Sequence, residues 1–223
     1  MSASPPLLHG PVDHLLGLLR QMPPRRWIVG IAGLPGSGKS TIAQALAGAV
    51  NLAAGAPVAM ALGMDGFHLT RAQLRAFPDP DAALLRRGAP WTFDPQGLAQ
   101  RLALLRSQAA QSLTWPGFEH GVGDPVADAI HVPPSVRLVL LEGLYLLHDA
   151  HGWNLRGAMD ACWFLDVPRE VAMARLAARH QAAWGITPEE ALARIARNDG
   201  LNAEIVWRSR ARADALVADE VRP

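Results

Sequence analysis

The 223-residue chain has little of three things: lysine, cysteine and long apolar runs. Lys39 is the only lysine among 21 basic residues. Cys162 is the only cysteine, which excludes an intrachain disulfide and a zinc site built from cysteines. No window holds the ~18 uninterrupted apolar residues of a membrane span, and the first residues lack the basic and apolar regions of a secretory signal. We therefore expect a cytoplasmic protein that has no membrane partner.

Positive and negative charges nearly balance, and the formal net charge is +1. This value gives no electrostatic reason to expect nucleic acid as a partner. The chain is 50% hydrophobic and 18% charged, as is usual for a folded protein. A chain of this length suits one packed domain and is short for two. We predict a single domain over residues 1–223, with residues 1–25 as an N-terminal helical extension.

Apolar runs alternate with helical patterns along most of the chain. Strands are predicted at 27–32, 57–62, 136–142, 161–167 and 215–217, and helices at 13–21, 41–50, 96–111, 168–184 and 187–212. Continuous apolar runs are typical of strands that are buried on both faces of a parallel sheet. The sequence therefore predicts an α/β fold with a doubly wound, mostly parallel sheet flanked by helices. Ligands are expected beyond the carboxyl ends of its strands, where Lys39, Asp65 and Glu142 stand.

The first of these strands is followed by the pattern G-x-x-x-x-G-K-[ST]. The predicted phosphate loop consists of Gly33, Leu34, Pro35, Gly36, Ser37, Gly38, Lys39, Ser40 and Thr41. Small residues allow successive backbone N–H groups to surround phosphates, and the N-terminus of the next helix adds a partial positive charge. Lys39 is expected at the β- and γ-phosphates of ATP, Ser40 at Mg²⁺ and Thr41 at the α-phosphate.

A phosphate loop alone does not separate kinases from other nucleotide-binding proteins. A GTPase is expected to carry N-K-x-D for guanine, and a chain whose only lysine lies in the phosphate loop cannot contain that motif. The Ser-Gly-Gly signature of ABC-type ATPases is absent as well. A small-molecule kinase is the class that remains.

Several further blocks of sequence resemble the superfamily of uridine kinases, phosphoribulokinases and bacterial pantothenate kinases. Together with the phosphate loop, the blocks are 64–69 (MDGFHL), 86–94 (RRGAPWTFD), 116–120 (PGFEH), 124–125 (DP), 141–147 (LEGLYLL), 175–180 (RLAARH), and Asn198, Asp199 and Asn202. They keep the family's order between residues 28 and 216. The resemblance is greatest to short nucleoside/nucleotide kinase-like members, also called fructose-transport-system kinase-like proteins.

This resemblance implies roles for four residues around the phosphates. Asp65 is expected to accept the proton of the attacking hydroxyl, although it could instead cap the helix that begins near Thr70. Glu142 is expected on the magnesium side, with a structural ion pair as the alternative. Arg175 and Arg179, four apart on one helix face, are expected in a helical lid over the triphosphate, or else on a solvated basic face.

The lid and the adenine-side helices would together cover residues 168–212. Asn198 and Asn202 are expected to bound the adenine pocket, or else to be ordinary polar residues at the end of a helix. The acceptor side is assigned to residues in block 64–69, in the irregular stretch 79–95 and in the later blocks. These residues are His68, Arg87, Phe93, Asp94, Phe118, His120 and Tyr145.

The Glu119-His120 pair departs from the common forms of the family, which leaves the acceptor open. We predict an ATP- and Mg²⁺-dependent kinase that phosphorylates a hydroxyl of a small metabolite. A nucleoside or a sugar is favoured, and the short chain makes pantothenate less favoured. The oligomeric state is left between monomer and homodimer. The alternative is a regulator that binds ATP, hydrolyses it slowly and is associated with a transport system.

Overall fold

The computed structural model describes residues 4–21, 25–119 and 123–219. Its strands are β1 Trp27–Gly33, β2 Ala59–Gly63, β3 Leu113–Phe118, β4 Pro125–Val132, β5 Leu138–Gly143, β6 Ala161–Asp166 and β7 Ala215–Ala218. Five of them form a parallel sheet in the order β2-β5-β1-β6-β7. The predicted doubly wound α/β fold is confirmed.

Helices cover the sheet and begin or end at residues suited to those positions. They are α1 Pro11–Leu19, α2 Lys39–Ala54, α3 Arg71–Arg75, α4 Pro80–Leu85, α5 Pro95–Ser107, α6 Arg169–Trp184, α7 Pro188–Arg194 and α8 Gly200–Ser209. Thr187 caps α7 through a capping box with Glu190. Because helices pack against both of its faces, the central strand β1 is buried along its whole length.

The predicted helix 187–212 is interrupted. Between α7 and α8 the chain forms a π-helical turn over Ile195–Asp199, and a 3₁₀ turn follows at Arg210–Arg212. A π turn inserts one residue into the helical repeat, so it rotates the following side chains relative to a regular helix. Here it turns Asn198 and Asp199 toward the cavity described below.

The antiparallel hairpin β3–β4 was not predicted from the sequence. Its first strand is irregular, with a register shift between Trp115 and Gly117. The Trp115 indole donates a hydrogen bond of 2.9 Å to the carbonyl of Gly63 at the end of β2. A side chain at Gly66 would overlap the Pro116 carbonyl, so this glycine permits the close approach. The hairpin therefore packs directly on the turn that follows β2.

The N-terminal residues lie along the far edge of the sheet. Backbone hydrogen bonds join Leu8 and Pro6 to Leu216 of β7, and α1 packs near α2. Among the described residues, the helices are too short or too polar for any of them to cross a membrane.

Candidate active site

The phosphate loop joins β1 to α2, and its conformation depends on glycine. Gly36 and Gly38 have φ angles of 77° and 91°, in the left-handed region that other residues rarely adopt. A side chain at Gly36 would also overlap the carbonyl of Ala172 in α6. The N-cap Gly38 supplies no side-chain cap, so the first N–H groups of α2 are left for a ligand.

Ser40 and Glu142 meet beside this loop. The Ser40 hydroxyl donates a hydrogen bond of 2.9 Å to Glu142 Oε1. Burial raises the pKa of Glu142 and so does the nearby charge of Asp65, whereas Lys39, the Ser40 hydrogen bond and Arg179 act to lower it. The charges of Lys39, Asp65 and Arg179 and the hydroxyl of Ser40 therefore all lie close enough to act on Glu142.

Asp65 lies in a 3₁₀ turn, Met64–Phe67, directly after β2. The alternative role of Asp65 as a helix cap is wrong, because α3 is capped by Thr70 through a capping box with Gln73. Asp65 instead lines a cavity together with Lys39 and Ser40. The hairpin packed on Gly66 holds the turn, and therefore Asp65, in this position.

The cavity has a volume of about 700 Å³ and an aromatic wall. The His68 ring lies between Phe93, at 3.9 Å between ring centroids, and Phe118, at 4.5 Å. His68 Nδ1 donates a hydrogen bond of 2.8 Å to the carbonyl of Asp65. The wall therefore begins at Asp65 and extends away from the phosphate loop.

The two predicted lid arginines occupy different places. Arg179 lines the cavity, and its charge reaches Glu142. Arg175 instead forms two hydrogen bonds with Asp219, of 3.1 and 2.6 Å, and a longer one of 3.4 Å with the carbonyl of Ser37. The structure thus brings Arg179 to the site and holds Arg175 behind the phosphate loop.

Asn198 and Asn202 line the cavity, but their amides contact the irregular segment 86–88. Asn198 Nδ2 donates to the carbonyl of Arg87 at 2.8 Å, while Arg86 donates to both asparagine oxygens at 3.2 and 3.1 Å. These contacts join the end of the α7–α8 region to the segment predicted to cover the acceptor. They give no support to the expected adenine-side role.

Two predicted acceptor residues do not line the cavity. Tyr145 is fully buried, and its hydroxyl donates a hydrogen bond of 2.5 Å to the carbonyl of Gly88. Burial raises the pKa of Tyr145. Asp94 caps α5, where it accepts a hydrogen bond from the Gly97 amide. Both residues support the walls of the site from outside, and the prediction for His120 falls on a residue outside the described ranges.

Five further polar or aromatic residues line the cavity that the sequence analysis gave no role, although His180 and Asp199 lie in blocks that carry the family resemblance. These residues are Arg71, His180, Trp184, Arg194 and Asp199. Burial raises the pKa of Asp199, while Arg194 and Arg179 act to lower it. His180 Nε2 lies 3.7 Å from Asp199 Oδ2. Asp199 adjoins Asn198 in the sequence, but only the π turn makes it face the cavity, and no local pattern announces such a turn.

The geometry of the phosphate loop, Asp65 and Glu142 agrees with comparisons to known proteins. A model of the "Phosphoribulokinase / Uridine kinase family" matches residues 28–220. The chain belongs to this family. It is thus a P-loop kinase, a phosphotransferase that uses a nucleotide.

The alignments with three relatives cover most of this chain and most of each relative. An ATP-dependent kinase-like protein of Aspergillus versicolor is 44% identical over 160 residues, which covers 69% of this chain and 92% of that protein. A protein of Schizosaccharomyces pombe, provisionally named a uridine kinase, is 38% identical over 201 residues, covering 86% and 83%. A crystal structure from Silicibacter sp. TM1040, provisionally named a fructose transport system kinase, has a TM-score of 0.82 at 37% identity and covers 92% and 96%.

Proposed function

We propose that the protein is an ATP- and Mg²⁺-dependent kinase that transfers the γ-phosphate to a hydroxyl of a small metabolite. The observation that carries this proposal is that Asp65 lines the same cavity as Lys39 and Ser40, with about 700 Å³ of space. A nucleotide-dependent regulator needs the phosphate loop, but it needs neither a carboxylate at the reacting end nor room for an acceptor. The cavity therefore favours a kinase over the regulatory alternative.

The phosphate loop fits a nucleoside triphosphate. Its left-handed glycines and the uncapped start of α2 direct backbone N–H groups at one point. Lys39 is assigned to the β- and γ-phosphate oxygens. Arg179, whose charge acts on Glu142 from the cavity side, is assigned to the transferring phosphate, where it offsets developing negative charge.

Ser40 and Glu142 fit Mg²⁺, which binds oxygen ligands and takes few of them from the protein when phosphates and water supply the rest. Their oxygens are 2.9 Å apart, so both face the same point. Mg²⁺ held by these two residues would supply positive charge that offsets the charge of the phosphates. A cation at this point also favours the ionised form of Glu142, which burial alone disfavours.

Asp65 is assigned the role of general base. The acceptor oxygen forms a bond to the γ-phosphorus, the bond from that phosphorus to the β–γ bridging oxygen breaks, and the hydroxyl proton passes to the Asp65 carboxylate. Because phosphoryl transfer depends mainly on positioning and electrostatics, the rigid support of Asp65 by the hairpin matters as much as its charge.

Replacement of Asp65 by Asn tests this proposal. The change keeps the size of the side chain but removes the charge that accepts the proton, so acceptor phosphorylation should fall by roughly 10²- to 10⁴-fold. ATP affinity should hardly change. The measurement is ADP release across nucleosides, sugars, sugar phosphates and pantothenate, followed by single-turnover transfer to the best acceptor.

Asp81→Asn is the matched control, because Asp81 is exposed on α4 and does not line the cavity. It should have wild-type rates. ADP release that no acceptor stimulates, and that Asp65→Asn leaves unchanged, would establish the regulator and contradict the kinase.

A further inference from the structure

Asp199 is a mostly buried carboxylate that the proposed transfer step does not use. It ends the π turn and lines the cavity, with 22% of its side chain exposed. Burial raises the pKa of Asp199, while the charges of Arg194 and Arg179 act to lower it. Because a carboxylate is costly to bury unless a partner compensates it, these two arginines are the first groups to consider as partners of Asp199.

Arg179 is the cation that Asp199 shares with the phosphate end of the site. Its charge acts on Asp199 and on Glu142, against the burial that raises the pKa of both carboxyl groups. Lys39 acts on Glu142 and Arg194 on Asp199, so Arg179 is common to the two sets. In the part of the chain that the structure describes, no hydrogen bond or ion pair fixes the Arg179 guanidinium to another side chain. Its N–H donors are therefore available to phosphate oxygens.

Contacts on two sides hold the π turn beside the helix that carries Arg179. His180 follows Arg179 on α6, and its Nε2 lies 3.7 Å from Asp199 Oδ2. On the far side, Asn198 donates its hydrogen bond of 2.8 Å to the Arg87 carbonyl. A small buried cluster, separate from the main core, also joins α6 to α7 and the π turn; it consists of Leu176, Ala177, Ala191 and Ile195. The position of Asp199 relative to Arg179 is thus set by packing, at a π turn, a feature frequent at functional sites.

We propose, on the basis of the kinase function above, that Asp199 is a positioning residue for Arg179 in phosphoryl transfer. One edge of the planar guanidinium would meet oxygens of the transferring phosphate, and another edge would face the Asp199 carboxylate. This attraction restricts the orientations of the guanidinium before negative charge develops on the phosphate, and such preorganisation lowers the barrier. Asp199 acts through Arg179 and needs no contact with either substrate.

Two other roles for Asp199 lead to different expectations. As a partner of Arg194, whose guanidinium lies 4.2 Å from the centroid of a Trp184 ring, Asp199 would act independently of Arg179. As a ligand of the acceptor hydroxyls, Asp199 would affect the KM for the acceptor more than kcat. The experiments below separate these roles.

Asp199→Asn keeps the size of the side chain, removes its charge and leaves Arg179 in place. The kcat for the acceptor identified by ADP release should fall by about threefold to 100-fold, the range of coupling between neighbouring side chains. ATP affinity and the KM for the acceptor should change much less, because the interaction matters most as charge develops on the phosphate. A higher KM at unchanged kcat would identify an acceptor ligand and overturn the proposal.

A double-mutant cycle tests whether Asp199 acts through Arg179. In an Arg179→Gln background, Asp199→Asn should have no further effect on kcat, because the group that it orients is gone. In an Arg194→Gln background, Asp199→Asn should keep its full effect. Independent effects of Asp199→Asn and Arg179→Gln, or an effect that only Arg194→Gln removes, would contradict the positioning of Arg179.

Glu189→Gln is the matched control, since Glu189 is exposed on α7 in the same helical region and does not line the cavity. It removes one negative charge and should leave kcat unchanged. A fall in kcat as large as that of Asp199→Asn would reduce the effect to net charge and overturn the proposal.

A binding measurement needs no acceptor. With ADP and Mg²⁺, tetrafluoroaluminate stands in for the transferring phosphate and should raise ADP affinity of the wild type at least about tenfold. Asp199→Asn and Arg179→Gln should each lose most of this rise but keep their affinity for ADP alone. A full rise in Asp199→Asn, or none in the wild type, would refute the inference. A loss of the rise in a protein that phosphorylates no acceptor would instead support the positioning of Arg179 and contradict the kinase function.

Discussion

Replacement of Glu142 by Gln should make the ligand-free protein more stable and the enzyme less active. The pKa of Glu142 is raised even though Lys39, Ser40 and Arg179 all act to lower it, so burial, together with the charge of Asp65, outweighs them. The ionised side chain therefore costs free energy in the folded state. Gln keeps an oxygen that can accept the Ser40 hydrogen bond and removes the charge.

The sign of the gain follows from the linkage between protonation and folding, and general values set the scale on which it is measured. A tenfold change in proton affinity is worth about 1.4 kcal/mol, and about 1 kcal/mol moves the melting temperature of a domain of this size by about 2–4 °C. We expect Glu142→Gln to melt a few degrees higher at pH 7 without nucleotide or metal. Because the folded-state pKa lies above the ordinary value of 4.5, the gain is complete above the folded-state pKa. It should shrink as the pH falls through the folded-state pKa and disappear below 4.5, where both states bind the proton.

The activity of Glu142→Gln should fall although its melting temperature rises. A carboxylate that supports bound Mg²⁺, directly or through water, is typically worth about 10- to 100-fold in metal affinity or rate. The assays are thermal melting in EDTA across pH and a Mg²⁺ titration of turnover. Glu189→Gln, at an exposed position on α7, is the control and should change neither. A Glu142→Gln protein that melts lower and keeps its Mg²⁺ dependence would identify a structural ion pair and refute the reasoning.

Two further predictions concern the phosphate end of the site. Lys39→Ala should abolish turnover and weaken ATP binding. Its unfolding should stay cooperative, because the Lys39 side chain lies in the cavity. Unchanged ATP affinity, measured by calorimetry, would contradict the role of the phosphate loop. Arg179→Lys should lower kcat more than ATP affinity, since an ammonium lacks the planar fork of a guanidinium. Arg175→Lys should lower kcat less, because Arg175 is bound to Asp219. Equal losses in kcat for the two variants would contradict the separation of these arginines.

The sheet and the phosphate end of the site could be predicted because a simple rule relates apolar runs in the sequence to the positions of the residues that follow them. Apolar runs in an α/β pattern form parallel strands, and the residues after each strand meet at one edge. Register confirms this meeting, with Glu142 paired to Ile31 on one side and to Gly63 on the other. Side chains that follow three different strands are thereby brought to one place.

The hairpin and the π turn could not be predicted in this way. β3 contains Pro116 and Gly117, which break the alternation of a strand, and most of β4 is exposed, so neither segment has an apolar run. The π turn is followed directly by Gly200, a poor helix former, but a glycine alone does not indicate a π turn. Tertiary contacts decide both features, such as the hydrogen bond from Trp115 to Gly63.

The acceptor region depends on this less predictable part of the chain. Arg87 is joined to Asp124 just before β4 and to Asn198 in the π turn, so three segments that are far apart in sequence form one wall. None of the three belongs to the parallel sheet. Substitutions in these segments would therefore change the charge and shape of this wall of the cavity, which the parallel sheet does not fix.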